Sequence, residues 1–332
     1  MKAEEFLLIL FASTFALAVP GTLWVRAVAI RRGLMDHPSQ RSSHTIPTPR
    51  GGGIAIVAAH FAALLVLHLR GYLTLPESIA LMAAGGAVAL VGFLDDRRSV
   101  AASVRFMVHL GAAIAVVAMI GGVPARAPWV GQAVAILGIA WFTNLFNFMD
   151  GIDGIAASEA VFVSLAAAAM IFVLNGDVGL VGSFGALGMA SMGFLVWNWP
   201  PARIFMGDVG SGFLGFMLTA LAILASRRNA IALQVWPILG GVFLVDATVT
   251  LIRRMVRGDR WYEAHRMHAY QHLARVWGGH FTVTLAVCAV NMCWLLPWAW
   301  YAAVHPSAAT LCLAAALLPL VAAAIWAGAG RP

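Results

Sequence analysis

Apolar residues in this chain come in long unbroken runs, and polar residues gather in the short stretches between them. A helix needs about 20 apolar residues to cross bilayer hydrocarbon, and by that measure the pattern predicts about eleven spans. They lie near Phe6 to Ile30, Gly51 to Leu69, Ser78 to Leu94, Ser103 to Gly121, Val130 to Phe148 and Ile155 to Leu174. The others lie near Val178 to Trp197, Val209 to Ala225, Ala230 to Ile252, Phe281 to Ala302 and Ser307 to Trp326. The expected fold class is all-α, a polytopic membrane helical bundle. No Pro/Ser-rich or charged linker divides the pattern and no short-period repeat appears, so residues 1–332 read as a single integral-membrane domain. The first run follows Lys2, Glu4 and Glu5 and lacks a small-residue cleavage site, which favours a span over a signal peptide.

Composition strengthens this reading: 61% of the 332 residues are hydrophobic and 11% charged, which leaves no stretch for a soluble domain. The formal charge of +7 is mostly a topology signal. Most of the 21 Lys+Arg fall on one side, among them Arg31, Arg50, Arg97, Arg105, Arg203, Arg254 and Arg257. The other side keeps Lys2, Arg70, Arg126, Arg227 and Arg228. By the positive-inside rule the richer side is cytoplasmic, with the N-terminus outside and the C-terminus in the cytoplasm. Orientation and attraction to anionic lipid account for most of these arginines, and no nucleic-acid partner is expected. Cys288, Cys293 and Cys312 show no metal-ligand spacing and read as small packing residues.

The acidic residues carry more information. Ionisable groups at a membrane boundary are costly unless solvated, paired or metal-bound, so carboxylates converging from several helix ends suggest a site. In "GFLDDRRS", Asp95 and Asp96 end the third span; Arg97 and Arg98 neutralise them as a solvated helix end, or else a carboxylate here bears on a phosphate. In "NLFNFMDGIDG", Asn144, Asn147, Asp150 and Asp153 recur every third residue, so neighbouring members share a face, and Gly151 and Gly154 permit a sharp turn. A polar helix cap needs one or two such groups, and four make an oxygen-rich rim suited to magnesium.

"WNWPPARIFMGDVGSGFLG" breaks the chain at Pro200 and Pro201 and sets Asp208 before a glycine-rich helix start, where backbone amides can hold phosphate. Asp208 as an N-cap and glycines for close packing are the plainer alternative. The first loop on that side, "DHPSQRSSHTIPTPRGGG", places Arg41, His44 and Arg50 beside a second glycine-rich start, again suited to phosphate or to a plain turn. In "RGDRWYEAHRMHAYQHLARVWGG", a helix over Trp261 to Val276 aligns His265, His268 and His272 on one face near Arg275, enough to grip a diphosphate. A zinc site ranks below that, without cysteines and with magnesium-type oxygens elsewhere.

Taken in order, these motifs resemble the polyprenyl-phosphate N-acetylhexosamine-1-phosphate transferases, over nearly the whole chain. "NLFNFMDGIDG" and "FMGDVGS" are the specific matches, supported by "LDD", the first loop and the histidine loop. The resemblance implies transfer of an N-acetylhexosamine-1-phosphate from a UDP-sugar to undecaprenyl phosphate, with release of UMP, at the cytoplasmic face of a bacterial inner membrane. It starts a cell-surface glycan such as O-antigen. Carried over by motif, Asp208 and Asn147 would coordinate Mg2+, or Mn2+ in its place, with Asp150 close by. Asp153, Asn198 and Phe205 would hold the uridine, Phe205 by stacking on uracil. Asp95 would act on the lipid phosphate with Asp96 in support. Direct attack by the lipid and a covalent enzyme intermediate both remain open. A homodimer is the assembly expected. About eleven spans fit the GlcNAc-1-phosphate branch better than the ten-span peptidoglycan branch.

The departure lies in the histidine loop. The GlcNAc-1-phosphate branch resembles His-x-His-His, where this chain has His268-Ala-Tyr-Gln, so Tyr270 and Gln271 stand in two of the histidine positions. That resembles more the O-antigen initiating enzymes that use modified sugars such as UDP-FucNAc or UDP-QuiNAc. Two other classes compete. An intramembrane aspartyl protease also uses two membrane aspartates, but Phe205 stands where the first glycine of its Gly-x-Gly-Asp motif belongs. A secondary transporter keeps its ionisable groups near the bilayer midplane, whereas these crowd one face.

Overall fold

The computed structural model describes residues 2–38, 46–259 and 266–331. The elements run in order α1 (Ala3–Arg31), β1 (Met35–Asp36), β2 (Thr48–Pro49), α2 (Gly53–Leu69), α3 (Leu75–Ile79), α4 (Gly85–Arg97), α5 (Ala102–Ile120) and α6 (Pro128–Phe148). They continue with α7 (Ile155–Leu174), α8 (Val178–Asn198), α9 (Asp208–Arg227), α10 (Val235–Leu239) and α11 (Gly241–Arg257). The last are α12 (Ala269–Val276), α13 (His280–Val290), α14 (Leu296–Val304) and α15 (Ala309–Trp326). A π-helical turn at Ala80–Ala84 fuses α3 to α4, and another at Asn291–Leu295 fuses α13 to α14.

Among the described residues nine helices are long and apolar enough to cross a membrane. This supports the polytopic bundle and falls short of the expected count of about eleven. Every apolar run is helical, yet two fail as single long spans. α2 has only 17 residues. The run expected over Ala230 to Ile252 breaks at Gly240 into α10 and α11, since Pro237 brings no N–H to a helical ladder and two glycines follow it.

α9 lies at the centre, with 94% of its apolar window buried, and α8 follows at 78%. α9 packs against α4 and α6, while α8 packs against α1, α2 and α7. Lipid offers no hydrophobic drive between helices, so close approach of backbones matters, and small residues line these seams. Gly53 of α2 lies so close to Gly210 of α9 that a Cβ on either would overlap the backbone of the other helix. This contact draws together the starts of α2 and α9, and with them Arg50 and Asp208.

The charged residues sort to the helix ends. One end gathers the C-terminal turns of α4, α6 and α8 and the starts of α2, α5, α7, α9 and α13. The other is tied by Arg228 after α9, which bonds Glu77 of α3 and Asp177 before α8. The helix expected over Trp261 to Val276 is shorter: α12 begins at Ala269 with His268 as its N-cap. His265, Arg41 and His44 lie outside the described residues.

Candidate active site

The loop between α8 and α9 is strapped to the loop before α2 by backbone hydrogen bonds. Phe205 N–H donates to the Pro49 carbonyl (2.8 Å), Gly52 N–H to Phe205 (2.9 Å) and Gly53 N–H to Met206 (2.9 Å). The strap delivers Arg50 to the start of α9, where Nη2 meets Asp208 Oδ1 at 3.1 Å and Nε meets Asp96 Oδ1 at 2.7 Å. From α5, Arg105 Nη1 meets Asp208 Oδ2 at 2.8 Å and also pairs with Asp95. Asn147 Nδ2, on the last turn of α6, donates to Asp208 Oδ2 at 3.4 Å. Asp208 therefore sits between two guanidinium groups and an amide supplied by three separate segments.

The start of α9 does not offer its amides to a phosphate, contrary to the sequence expectation. Asp96 takes them: Asp208 N–H donates to Oδ1 (2.9 Å) and Val209 N–H to Oδ2 (3.1 Å). A carboxylate there satisfies the orphan donors and complements the helix dipole. Gly207, at φ +76°, makes room for it, since a Cβ would strike the Asp96 carboxylate. The glycine-rich start of α2 is likewise committed, because Gly52 and Gly53 give their N–H groups to the α8–α9 loop.

The turn after α6 presents the remaining acids. Asp153 is held from several sides: Ala202 N–H donates to Oδ2 (3.0 Å), and His280 Nδ1 lies 3.2 Å from Oδ1. Thr284 Oγ1 donates to its carbonyl (2.8 Å). Asn198, 4% exposed, is a clamp between two loops, accepting from Gly154 N–H (3.0 Å) and donating to the Ile204 carbonyl (2.9 Å). From α12, Tyr270 Oη donates to the Phe148 carbonyl (3.1 Å), and its hydroxyl abuts Gly151, where a Cβ would collide with it. α12 is itself fixed by Asp246 of α11, whose carboxylate accepts from Ala269 and Tyr270 N–H groups (2.8 and 3.0 Å).

These groups enclose a cavity of about 260 Å³ whose wall includes Asp36, Arg50, Asn147, Asp150, Asp153 and Asp208. Asn198, Phe205 and Gln271 also line it. Burial, and then the charge of Asp208, push the Asp150 carboxyl up to about 7. The Arg50 guanidinium is held charged more firmly than usual: burial opposes its charge, and Asp96 and Asp208 outweigh that. A second cavity, of about 400 Å³, adjoins the first and shares Asp153 and Phe205 with it.

The donor set fits a hard divalent cation of the magnesium type. Asp208 brings a carboxylate to one wall, and Asn147 beside it turns Nδ2 to Asp208 while its Oδ1 accepts from Ser211 Oγ (2.9 Å) and remains the amide oxygen open to an ion. Among the described residues no three His, Cys, Asp or Glu side chains converge as ligands. An ion here would be held by one or two protein groups and complete its shell with ligand oxygens, as magnesium commonly does.

Of the residues singled out from sequence, Arg50, Asn147, Asp150, Asp153, Asn198, Phe205 and Asp208 share the main cavity wall. Asp95 and Asp96 stand behind it, bonded to Arg105 and Arg50. Asn144 turns away and donates to the Ala140 carbonyl of its own helix (2.7 Å). The two described histidines of that loop, His268 and His272, do not share one anion-binding face. His268 is buried with Nδ1 3.5 Å from Asp246, while His272 Nε2 meets the Arg331 carbonyl at 3.1 Å. Arg105 and His280 lie at the site but stood outside the expected site residues. Arg105 had one signal, a lone arginine inside an otherwise apolar helical run.

Residues 78–226 match the model of glycosyl transferase family 4. The chain is 32% identical over 265 residues to the probable undecaprenyl-phosphate N-acetylglucosaminyl 1-phosphate transferase of Bacillus subtilis, covering 74% of this chain and 73% of that protein. It is 32% identical over 311 residues to the decaprenyl-phosphate N-acetylglucosaminephosphotransferase of Mycolicibacterium smegmatis, covering 80% and 75%. It is also 31% identical over 252 residues to the phospho-N-acetylmuramoyl-pentapeptide-transferase of Moorella thermoacetica, covering 68% and 76%.

Proposed function

The chain belongs to glycosyl transferase family 4, and on that footing we propose that it transfers an N-acetylhexosamine-1-phosphate from a UDP-sugar to undecaprenyl phosphate. The family carries the coarser statement, a membrane transferase moving a sugar-1-phosphate onto a polyprenyl phosphate. The observation that carries the finer one is the Asp208 carboxylate gripped by Arg50 and Arg105 beside Asn147, on the wall of a polar cavity.

In the reaction, an oxygen of the lipid phosphate forms a bond to the β-phosphorus of the donor. The bond from that phosphorus to the bridging oxygen breaks, and UMP leaves. Both reactants are anions, so positive charge must be fixed in place before they meet. Mg2+ held by Asp208 and Asn147, when bound, would neutralise the diphosphate. Arg50 and Arg105 supply the chain's own positive charge, and each has a carboxylate behind the wall that fixes its position. Asp95, through Arg105, is placed to meet the lipid phosphate. Asp96 supports it by fixing Arg50 and the start of α9. Asp153, Asn198 and Phe205 receive the nucleoside, with Phe205 against the uracil face.

The arginine distribution supports a cytoplasmic site, with the N-terminus outside and the C-terminus inside. Counting α2 and the α10–α11 pair as crossings gives about eleven. The product would start an envelope glycan such as O-antigen. Purified protein given Mg2+, undecaprenyl phosphate and a panel of UDP-N-acetylsugars should release UMP and label the lipid. UDP-N-acetylglucosamine heads the panel because the relatives' names carry that sugar. UDP-FucNAc and UDP-QuiNAc follow, because Tyr270 and Gln271 replace histidines. Release of UDP in place of UMP, or no lipid label with any donor, would overturn the reading.

A further inference from the structure

His280 plays no part in the chemistry above, yet it opens α13 directly against the turn that carries Asp153. Its Nδ1 is 3.2 Å from Asp153 Oδ1 and 3.4 Å from the Asp153 backbone nitrogen. Nδ1 accepts the Asp153 backbone N–H and lies within ion-pair reach of Oδ1, so the ring touches both the main chain and the carboxylate of residue 153. One turn along α13, Thr284 takes hold of the Asp153 carbonyl. The seam continues into the bundle core, where Asn291 Nδ2 donates to Glu159 Oε2 at 2.6 Å and both residues are buried. α13 is thus registered on α7 by polar contacts that run from the core out to residue 153.

The direction of the hold matters. Asp36, Asp150, Asp153 and Asp208 all line the cavity meant for a diphosphate, and each carboxylate turned toward it repels the ligand. The two groups that hold the Asp153 oxygens, Ala202 N–H and His280, both line the adjoining cavity, together with Phe205 and Phe281. They turn the acid toward the second chamber and away from the phosphates.

We propose that His280 is a positioning residue for the nucleotide half of the donor, acting by fixing the Asp153 carboxylate at the junction of the two cavities. The inference rests on the UDP-sugar reading above. It also assigns the two substrates to different residues, because the reading above gives the lipid phosphate to Asp95 and Arg105.

The test is steady-state kinetics on purified full-length protein, varying UDP-N-acetylglucosamine and undecaprenyl phosphate separately, with calorimetric binding of UDP in the absence of lipid. Loss of the His280 contacts to residue 153 in His280→Ala should raise KM for the nucleotide sugar and weaken UDP binding about tenfold. KM for the lipid should move by no more than about twofold, since the two sites share no partner. Asn places its amide group, with an oxygen that can accept the Asp153 N–H, where His has Nδ1, and Gln places its own where His has Nε2. His280→Asn should therefore restore most of the loss, and His280→Gln should not. Equal rescue by both, a parallel rise in the two KM values, or no change in His280→Ala would overturn the proposal. Wild-type protein that neither binds UDP nor turns over a UDP-sugar would overturn the parent reading and this inference with it. Normal wild-type turnover with an indifferent His280→Ala would overturn the inference alone.

Discussion

At one end of the bundle Arg228 faces Glu77 and Asp177, and at the other Arg50 and Arg105 face Asp95, Asp96 and Asp208. Residue types are the same and the arrangements differ. Arg228 reaches both oxygens of each carboxylate through Nη1 and Nη2, at 2.7 to 3.0 Å. Its donors are spent inside a closed triad that ties α3, α8 and α9. The site arginines each split their contacts between two acids, and Asp208 is shared by both. A cavity opens beside them. Arg228 spends Nε, Nη1 and Nη2 on its two acids, whereas Arg105 meets both of its acids through Nη1 and Arg50 meets its own through Nε and Nη2, which keeps guanidinium donors for an incoming phosphate. The closed triad reads as structural and the divided pairs as functional.

That contrast is sharpest at Asp208. Asp208→Asn keeps the shape of the side chain and removes its charge, and should cut UMP release about a thousandfold, the upper end for loss of one preorganised charge, with folded yield retained. Arg105→Ala should lower turnover about a hundredfold, and Arg105→Lys should recover only part of it because an ammonium lacks the remaining guanidinium donors of the planar fork that a phosphate would use. Arg228→Ala is the counter-test. It leaves two partly buried acids without a cation and should cost about 2 kcal/mol of stability, between the exposed and buried limits. Its turnover per folded molecule should stay within about twofold. Thermal melting followed by tryptophan fluorescence, paired with UMP release, measures both quantities.

The smallest effect concerns pH. Asp150 is pushed up to about 7, whereas in the unfolded chain it titrates at about 4. The folded protein therefore holds this proton longer. The stability linked to it is complete below about pH 4 and is lost as pH rises through about 7. In nucleotide-free protein the melting temperature of wild type relative to Asp150→Asn should fall across that window and level off above it. A flat difference would remove Asp150 from the buried, Asp208-facing position described here.

Much of this was legible in the sequence, for physical reasons that differ from part to part. Apolar runs announce membrane helices because lipid demands length and hydrophobicity, and each expected run is helical. Asn147, Asp150 and Asp208 stood out because polar groups at a membrane boundary need a reason. The break at Gly240 was hidden because hydropathy registers an uninterrupted run where Pro237 and Gly240 interrupt the backbone. Arg105 was hidden among topology-setting arginines, since only tertiary packing brings it to Asp208, 103 positions away. The occupation of the α9 amides by Asp96 was equally out of reach, because the partner is 112 residues distant in sequence. Local glycine patterns mark where an anion can sit and do not say whether the protein supplies its own.

The most direct test of the account follows the β-phosphorus of the donor. Wild-type protein is given undecaprenyl phosphate, Mg2+ and UDP-N-acetylglucosamine, or the donor the panel selects, with radioactive phosphorus in the β position only. The account predicts that the label enters the lipid fraction in equal amount to the UMP released. Label recovered in UDP or in free phosphate, with the sugar on the lipid, would contradict it.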